Sequence, residues 1–186
     1  YAPGTGTFGI QVYAGLDALK ANGRNNGILA ITEFRKALSL ALNRSSYNTT
    51  VYTSHQTCLG LLGPSYYYDV ENGGVYRDTV YAKEALLRVY GFTENGDGTW
   101  TDGSRQYSSY ETAYDAMTGY NLEQAKELVE KAYRELTDNA SEYGYDPNSQ
   151  ITIILGFAEQ NTTYDTINSF LSSALTALLE GTSLEG

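Results

Sequence analysis

Apolar and polar positions alternate with a period of two near the front of the chain. Phe8, Ile10 and Val12 are apolar, and Thr7, Gly9, Gln11 and Tyr13 flank and separate them. That alternation predicts a half-buried strand. Asn22-Gly23 and Asn25-Asn26-Gly27 then break the chain, and the period changes. Over residues 28–44, Phe34, Ala37, Leu38, Ala41 and Leu42 recur at helical spacing, which predicts a helix with one face on a core. Residues 45–74 read as loop, punctuated by Gly60, Gly63-Pro64 and Gly73-Gly74. A second helix follows, with Asp78 as N-cap, Ala82, Ala85, Leu86, Val89 and Tyr90 as its stripe, and Gly91 at its end. Residues 93–104 carry one Asn-Gly and two Asp-Gly pairs around Trp100, so tight turns and a short hairpin are expected.

A short helix is predicted over 110–117, ending at Gly119. The third long helix is the best specified. Asn121 with Gln124 three residues on resembles a capping box, and Leu122, Ala125, Leu128, Val129, Ala132, Tyr133 and Leu136 form an unbroken stripe. Residues 151–155 predict a strand, followed by a helix over about 164–180 with Ile167, Phe170, Leu171, Ala174, Leu175 and Leu178 inward. Strands separated by helices favour partly parallel pairing in one small sheet, an α/β arrangement.

Three of these segments also resemble a known family in the same order. Ile28-Leu-Ala-Ile-Thr-Glu-Phe-Arg-Lys-Ala-Leu-Ser-Leu-Ala-Leu-Asn-Arg44 is similar to the "fRkALslAiDR" helix of extracellular solute-binding proteins, family 5, which serve oligopeptide and dipeptide ABC transporters. Tyr120-Asn-Leu-Glu-Gln-Ala-Lys-Glu-Leu-Val-Glu-Lys-Ala-Tyr133 looks like the family's "yNpekAKeLLkeAG" helix. Ile151-Thr-Ile-Ile-Leu155 and the helix after it look like the next strand and the "iaq.iqeqLkkiGi" helix. The resemblance implies an α/β fold: a helix-rich lobe of a periplasmic-binding-protein-like (type II) fold with a small mixed sheet. Residues 1–186 would form a single domain, part of the C-terminal-side lobe, cut at both ends from a longer two-lobed protein. The implied function is capture of an oligopeptide and delivery to the transmembrane subunits of an ABC permease, without catalysis and without a cofactor. The implied location is extracytoplasmic, at the cell surface or in the periplasm, with a lipid anchor on the full-length protein. The family's acidic anchor for the peptide amino terminus, in a "gw.aDyPdP"-like segment, has no counterpart in this chain.

Composition narrows the alternatives. A chain of 186 residues with 41% hydrophobic content suits one globular domain. The 12 basic against 22 acidic residues give a net charge of -10, which repels a phosphate backbone and an anionic membrane surface. Nucleic acid is therefore not an expected partner. No run of apolar residues is long enough to span a bilayer. Cys58 is the only cysteine, so an intrachain disulfide is excluded.

The candidate chemistry is sparse. Arg44 stands where a helix-end cation complements the dipole, and Asn43 replaces the aspartate of the family's Asp-Arg pair. His55 and Cys58 make a His-x-x-Cys pair, but no other His or Cys exists to complete a zinc site. The single His also leaves no Ser-His-Asp or Cys-His arrangement. Residues 95–102 have the oxygen density of a calcium loop without EF-hand spacing, and turn chemistry accounts for each Gly and Asp. Glu123, Glu127 and Glu130 with Lys126, Lys131 and Arg134 read as surface partners three and four residues apart. The Asn-x-Ser/Thr triplets at Asn43, Asn48, Asn139 and Asn161 are incidental on a bacterial reading.

Tyrosine is the compositional oddity, with 18 residues against 5 Phe and 1 Trp. Its ring offers a flat apolar face and its hydroxyl tolerates water, which suits adaptable recognition. Tyr66, Tyr67 and Tyr68, following Gly63-Pro64, are the candidate ligand-binding residues, stacking on peptide side chains. The same aromatic load also fits an extracellular glycan-binding module, and family relatives that carry other solutes keep a non-peptide ligand open.

Overall fold

A computed structural model describes residues 8–14, 23–52, 57–60, 62–63, 65–159 and 161–185. In chain order its strands are β1 (Phe8–Ala14), β2 (Tyr67–Asp69), β3 (Gly74–Val75), β4 (Thr93–Glu94), β5 (Trp100–Thr101), β6 (Gln106–Tyr107) and β7 (Ile151–Phe157). The helices are α1 (Thr32–Ala41), α2 (Arg44–Thr50), α3 (Val80–Val89), α4 (Tyr110–Ala116), α5 (Leu122–Asp138), α6 (Ala140–Tyr143) and α7 (Thr162–Leu179), with 3-10 turns at Gly27–Ala30 and Tyr76–Asp78. The fold is thus a mixture of helices with small sheets. The strands do not merge into the one sheet expected. They form a parallel β1–β7 pair, an antiparallel β2–β3 hairpin and an antiparallel β4–β5–β6 meander. The chain divides into two compact units, residues 1–53 with 120–186, and Ser54–Gly119.

In the first unit, β1 and β7 run parallel in unbroken register from Phe8 opposite Ile151 to Ala14 opposite Phe157. Helices α1, α5 and α7 pack on one another beside them. Phe34, Ala37, Ala125, Val129, Ala132, Leu136, Ile151 and Leu178 are fully buried. Three of these eight are alanines, on α1 and α5. With nothing beyond Cβ at those positions, the two helices can approach closely. The amide of Asn121 donates to the Leu40 carbonyl at 2.9 Å and fixes where α5 starts relative to the end of α1.

The helix predicted as continuous over 28–44 is three pieces, because Ile31 and Leu42 take extended backbone angles. Arginines stitch the breaks. Arg35 donates to the Leu29 carbonyl at 2.9 Å and to Thr32 Oγ1 at 3.1 Å, tying the 3-10 turn to α1. Arg44 begins α2 rather than ending α1, yet its guanidinium reaches back to Ser39 O at 3.1 Å and Ser39 Oγ at 2.9 Å. It therefore serves the C-terminal carbonyls of α1 from outside the helix. Asn43 Oδ1 accepts from Ser46 N at 3.0 Å and caps α2, so a helix stands where residues 45–50 were expected to be loop.

Helix α5 follows its predicted stripe, and Asn121 caps it by accepting from Gln124 N at 3.0 Å. The reciprocal half of a capping box is missing, since Gln124 Oε1 is buried without a hydrogen-bond partner. Glu130 is not a partner of a helix-surface lysine. Its carboxylate accepts from Ser183 N at 2.6 Å and Ser183 Oγ at 2.9 Å, holding the turn that buries Leu184. None of the acidic and basic side chains of α5 forms an ion pair among the described residues.

In the second unit, Trp100, Leu87 and Ala113 make the centre of a small core. The Arg88 guanidinium lies 4.7 Å from the Trp100 ring centroid and bridges to Glu94 at 3.2 Å and Glu84 at 3.6 Å. Helix α3 is capped by Thr79, not Asp78. Asp78 completes the preceding 3-10 turn, while Thr79 is extended and its Oγ1 accepts from Ala82 N at 3.2 Å. The inward face is correspondingly Ala82, Leu87 and Tyr90, leaving Ala85 and Val89 exposed. Gly91 has φ 85 and closes a Schellman motif, with Phe92 N donating to Leu87 O at 2.9 Å and Gly91 N to Arg88 O at 3.3 Å. Among the described residues, no helix is long and apolar enough to cross a membrane.

Phe34 is fully buried and its ring centroid lies 6.1 Å from that of Phe8 on β1. Phe34→Ala should destabilise the protein by about 3–5 kcal/mol, as emptying a filled aromatic site does. Urea unfolding followed by circular dichroism checks this, and a loss under about 1 kcal/mol would place Phe34 outside the true core.

Candidate functional site

The tyrosines singled out in the sequence come together on the β2–β3 hairpin. Tyr67 pairs with Val75 and Asp69 with Gly74, with a register irregularity between them. The turn is closed by Asp69, whose carboxylate accepts from Asn72 N at 3.1 Å and Asn72 Nδ2 at 2.8 Å. Those bonds, led by the one from the Asn72 side chain, hold the Asp69 carboxyl below its ordinary pKa. Gly73 supplies the positive φ, 70, that the turn requires. Gly74 is needed for a different reason: a Cβ there would stand 2.9 Å from Cζ of Tyr68, whose ring packs over the glycine backbone.

Tyr66 and Tyr76 meet edge to face, with ring centroids 6.3 Å apart and planes at 87°. Tyr76 N also donates to Tyr66 O at 3.0 Å. The rings of Tyr66, Tyr68 and Tyr76 are thus positioned by the hairpin rather than dangling from it. They nevertheless stay open to water: Tyr66 is 53% exposed, Tyr67 49%, Tyr68 64% and Tyr76 41%. Val70 and Tyr81 are more exposed still. Tyr76 was not among the sequence candidates, because only cross-strand pairing brings it beside Tyr66. The Gly73-Gly74 pair marked the turn, but no alternating run announced strands this short.

The first unit carries a separate polar cavity of about 470 Å³ beside the β1–β7 pair, lined in part by Gln11, Arg24, Asn25, Asp146, Ser149 and Thr152. Arg24 exchanges backbone hydrogen bonds with Thr152 at 3.0 and 2.8 Å, a bridge on β7 antiparallel to it. Asn25, at φ 51, clamps the turn opposite. Its Nδ2 donates to Asp146 O at 2.8 Å and Ser149 O at 2.6 Å, and its Oδ1 accepts from Asp146 N at 2.7 Å. The Asp146 carboxyl is held below its ordinary pKa, first by Ser149 Oγ and then by Asn148 N. Among the described residues, its walls offer the Arg24 guanidinium and the Asp146 carboxylate beside amides and hydroxyls. Ser149 Oγ donates to Asp146 Oδ2 at 2.6 Å within this wall, and the lining suits a small polar group.

The remaining chemical candidates resolve locally. His55 lies outside the described residues, as does Pro64. Cys58 is exposed and its thiol meets Gly60 O at 3.2 Å. Among the described residues, no three His, Cys, Asp or Glu side chains converge as metal ligands. In the 95–105 turns the carboxylates face the chain's own donors. Asp97 Oδ1 accepts from Thr99 N and Oγ1 at 2.9 and 2.6 Å. Asp102 Oδ1 accepts from Ser104 N, Ser104 Oγ and Arg105 N, and Oδ2 from Tyr107 Oη at 2.7 Å. Burial opposes the charge on Asp102, but the bonds from Tyr107, Ser104 and Arg105 outweigh it and bring the carboxyl down to about 2. The same contact pushes the Tyr107 phenol up.

In comparisons with known proteins the chain matches no family model, no curated protein and no solved structure.

Because the Asp102 pKa is depressed in the fold, its contribution to stability is present above about pH 4 and is lost as pH falls toward 2. Trp100, the single tryptophan, sits on the adjoining strand β5 and reports unfolding of this unit. Asp102→Asn should lower the urea midpoint at pH 7 and flatten its decline between pH 4 and 2. A variant curve parallel to that of the wild type would show that Asp102 contributes no part of the acid sensitivity.

Proposed function

We propose that this chain is the ligand-binding lobe of an extracytoplasmic solute-binding protein that captures peptides and hands them to an ABC importer. The observation that carries the reading is the joint packing of the three family-like segments. α1, α5 and the β7–α7 succession follow one another in the family's order and share a single core in the first unit. In such a receptor the closed state is selected by contacts the ligand makes to both lobes. Extended peptide is held through its main chain, while side chains enter hydrated pockets. On this reading Tyr66, Tyr67 and Tyr68 contribute aromatic contacts to peptide side chains, the protein turns nothing over, and its partners are the peptide and the permease. Its place is outside the cytoplasmic membrane, lipid-anchored.

A glycan-binding module is the second reading, favoured by one observation: the open tyrosine rings of the hairpin are the kind of platform on which sugars stack. The two separate experimentally. The chain, expressed with whatever flanking sequence its gene encodes, should unfold at higher temperature with pooled short peptides and not with oligosaccharides. Ligand at a hundred times its Kd adds about 2.7 kcal/mol of stability. A shift with oligosaccharides and none with peptides would overturn the importer reading.

A further inference from the structure

We propose that the tyrosine hairpin selects cationic peptides, taking Lys or Arg side chains against its rings. This rests on the peptide reading above and adds the ligand's chemical class. The first observation is the surface itself. Tyr66, Tyr67, Tyr68, Val70, Tyr76 and Tyr81 are all exposed within one short stretch of chain, an apolar concentration that a solvated surface rarely carries without a partner. The second is order. Tyr68 is seated over Gly74 and Tyr66 is held edge-on by Tyr76, so these rings are fixed before a ligand arrives and little rotamer entropy is lost on binding.

The third observation, charge, chooses the partner. Between Tyr68 and Tyr81 the chain carries Asp69, Glu71 and Asp78 against Arg77 alone. Asp69 is engaged by Asn72, whereas the carboxylates of Glu71 and Asp78 accept no hydrogen bond and form no ion pair among the described residues. Exposed aromatic rings with two exposed carboxylates in the same short stretch of chain attract ammonium and guanidinium groups and repel acidic ones. A neutral glycan would stack on the rings and donate hydroxyls to Glu71 and Asp78, but it would gain no charge attraction from them. The same unit already uses this pairing internally, with Lys83 Nζ lying 5.3 Å from the Tyr114 ring centroid and Arg88 set over Trp100.

The test is calorimetric titration of the protein, with its native flanking sequence, by acetylated and amidated trilysine, trialanine and triglutamate. Trilysine should bind at least threefold more tightly than trialanine, and triglutamate more weakly than either, with the trilysine affinity falling as salt rises. Glu71→Gln with Asp78→Asn should cut the preference for trilysine at least threefold. Tyr67→Leu with Tyr68→Leu, which keeps apolar area but removes the ring faces, should do the same. All four positions are exposed, and an unchanged urea midpoint for each double variant separates loss of selection from loss of folding. Equal affinity for all three peptides, or a lysine preference untouched by both double variants, would overturn the cationic selection while leaving the peptide reading intact. Absence of any peptide binding together with oligosaccharide binding would overturn both.

Discussion

A parallel pair of strands cannot be closed by a tight turn, so everything between β1 and β7 has to be a crossover. That constraint organises the first unit. Seven consecutive residue pairs, Phe8 with Ile151 through Ala14 with Phe157, bring together two strands from distant parts of the sequence. Two strands alone would not hold in water, and parallel strands need cover. The cover comes from α1, α5 and α7, and the alanines at 37, 125 and 132 let two of these helices close on each other. The ordering entropy of so long a crossover grows only slowly with its length. The crossover can therefore accommodate a second compact unit, Ser54–Gly119, with its own small core around Trp100.

Elements whose stability lies in one long stripe were legible in the sequence. Helix α5 is the clearest case: Ala125, Val129, Ala132 and Leu136 recur at helical spacing and all are fully buried. The strands at both ends were legible because alternation at residues 8–13 and a β-branched run at 151–154 leave few other choices. The breaks within 27–50 were not legible. Neither Ile31 nor Leu42 is a helix breaker, and the interruptions depend on Arg35 and Arg44 reaching carbonyls across them. An Asn at position 43 could be read as a lost carboxylate, while in the fold it is a helix cap. The same residue type means different things according to which side of a break it stands on.

The candidate surface was half legible. Three adjacent tyrosines announce themselves by composition, but their organisation does not, since it depends on an Asx-closed turn and on a glycine that makes room for a ring. Tyr76, the edge-on neighbour, was invisible for the same reason. The polar cavity beside β7 was missed altogether, because its walls are gathered by the Asn25 clamp from stretches far apart in sequence. The oxygen-rich turns were legible as turn chemistry from their Gly and Asp residues, and in the fold their carboxylates accept from the chain's own donors.

Amide hydrogen exchange resolved by residue tests the central claim, that pairing of β1 with β7 holds the first unit together. Alternate amides of Ile151–Phe157, and the Thr152 amide bonded to Arg24 O at 2.8 Å, should exchange as slowly as those in the middle of α5. Exchange of the β7 amides at the rate of the exposed 96–98 turn, with α5 still protected, would contradict it.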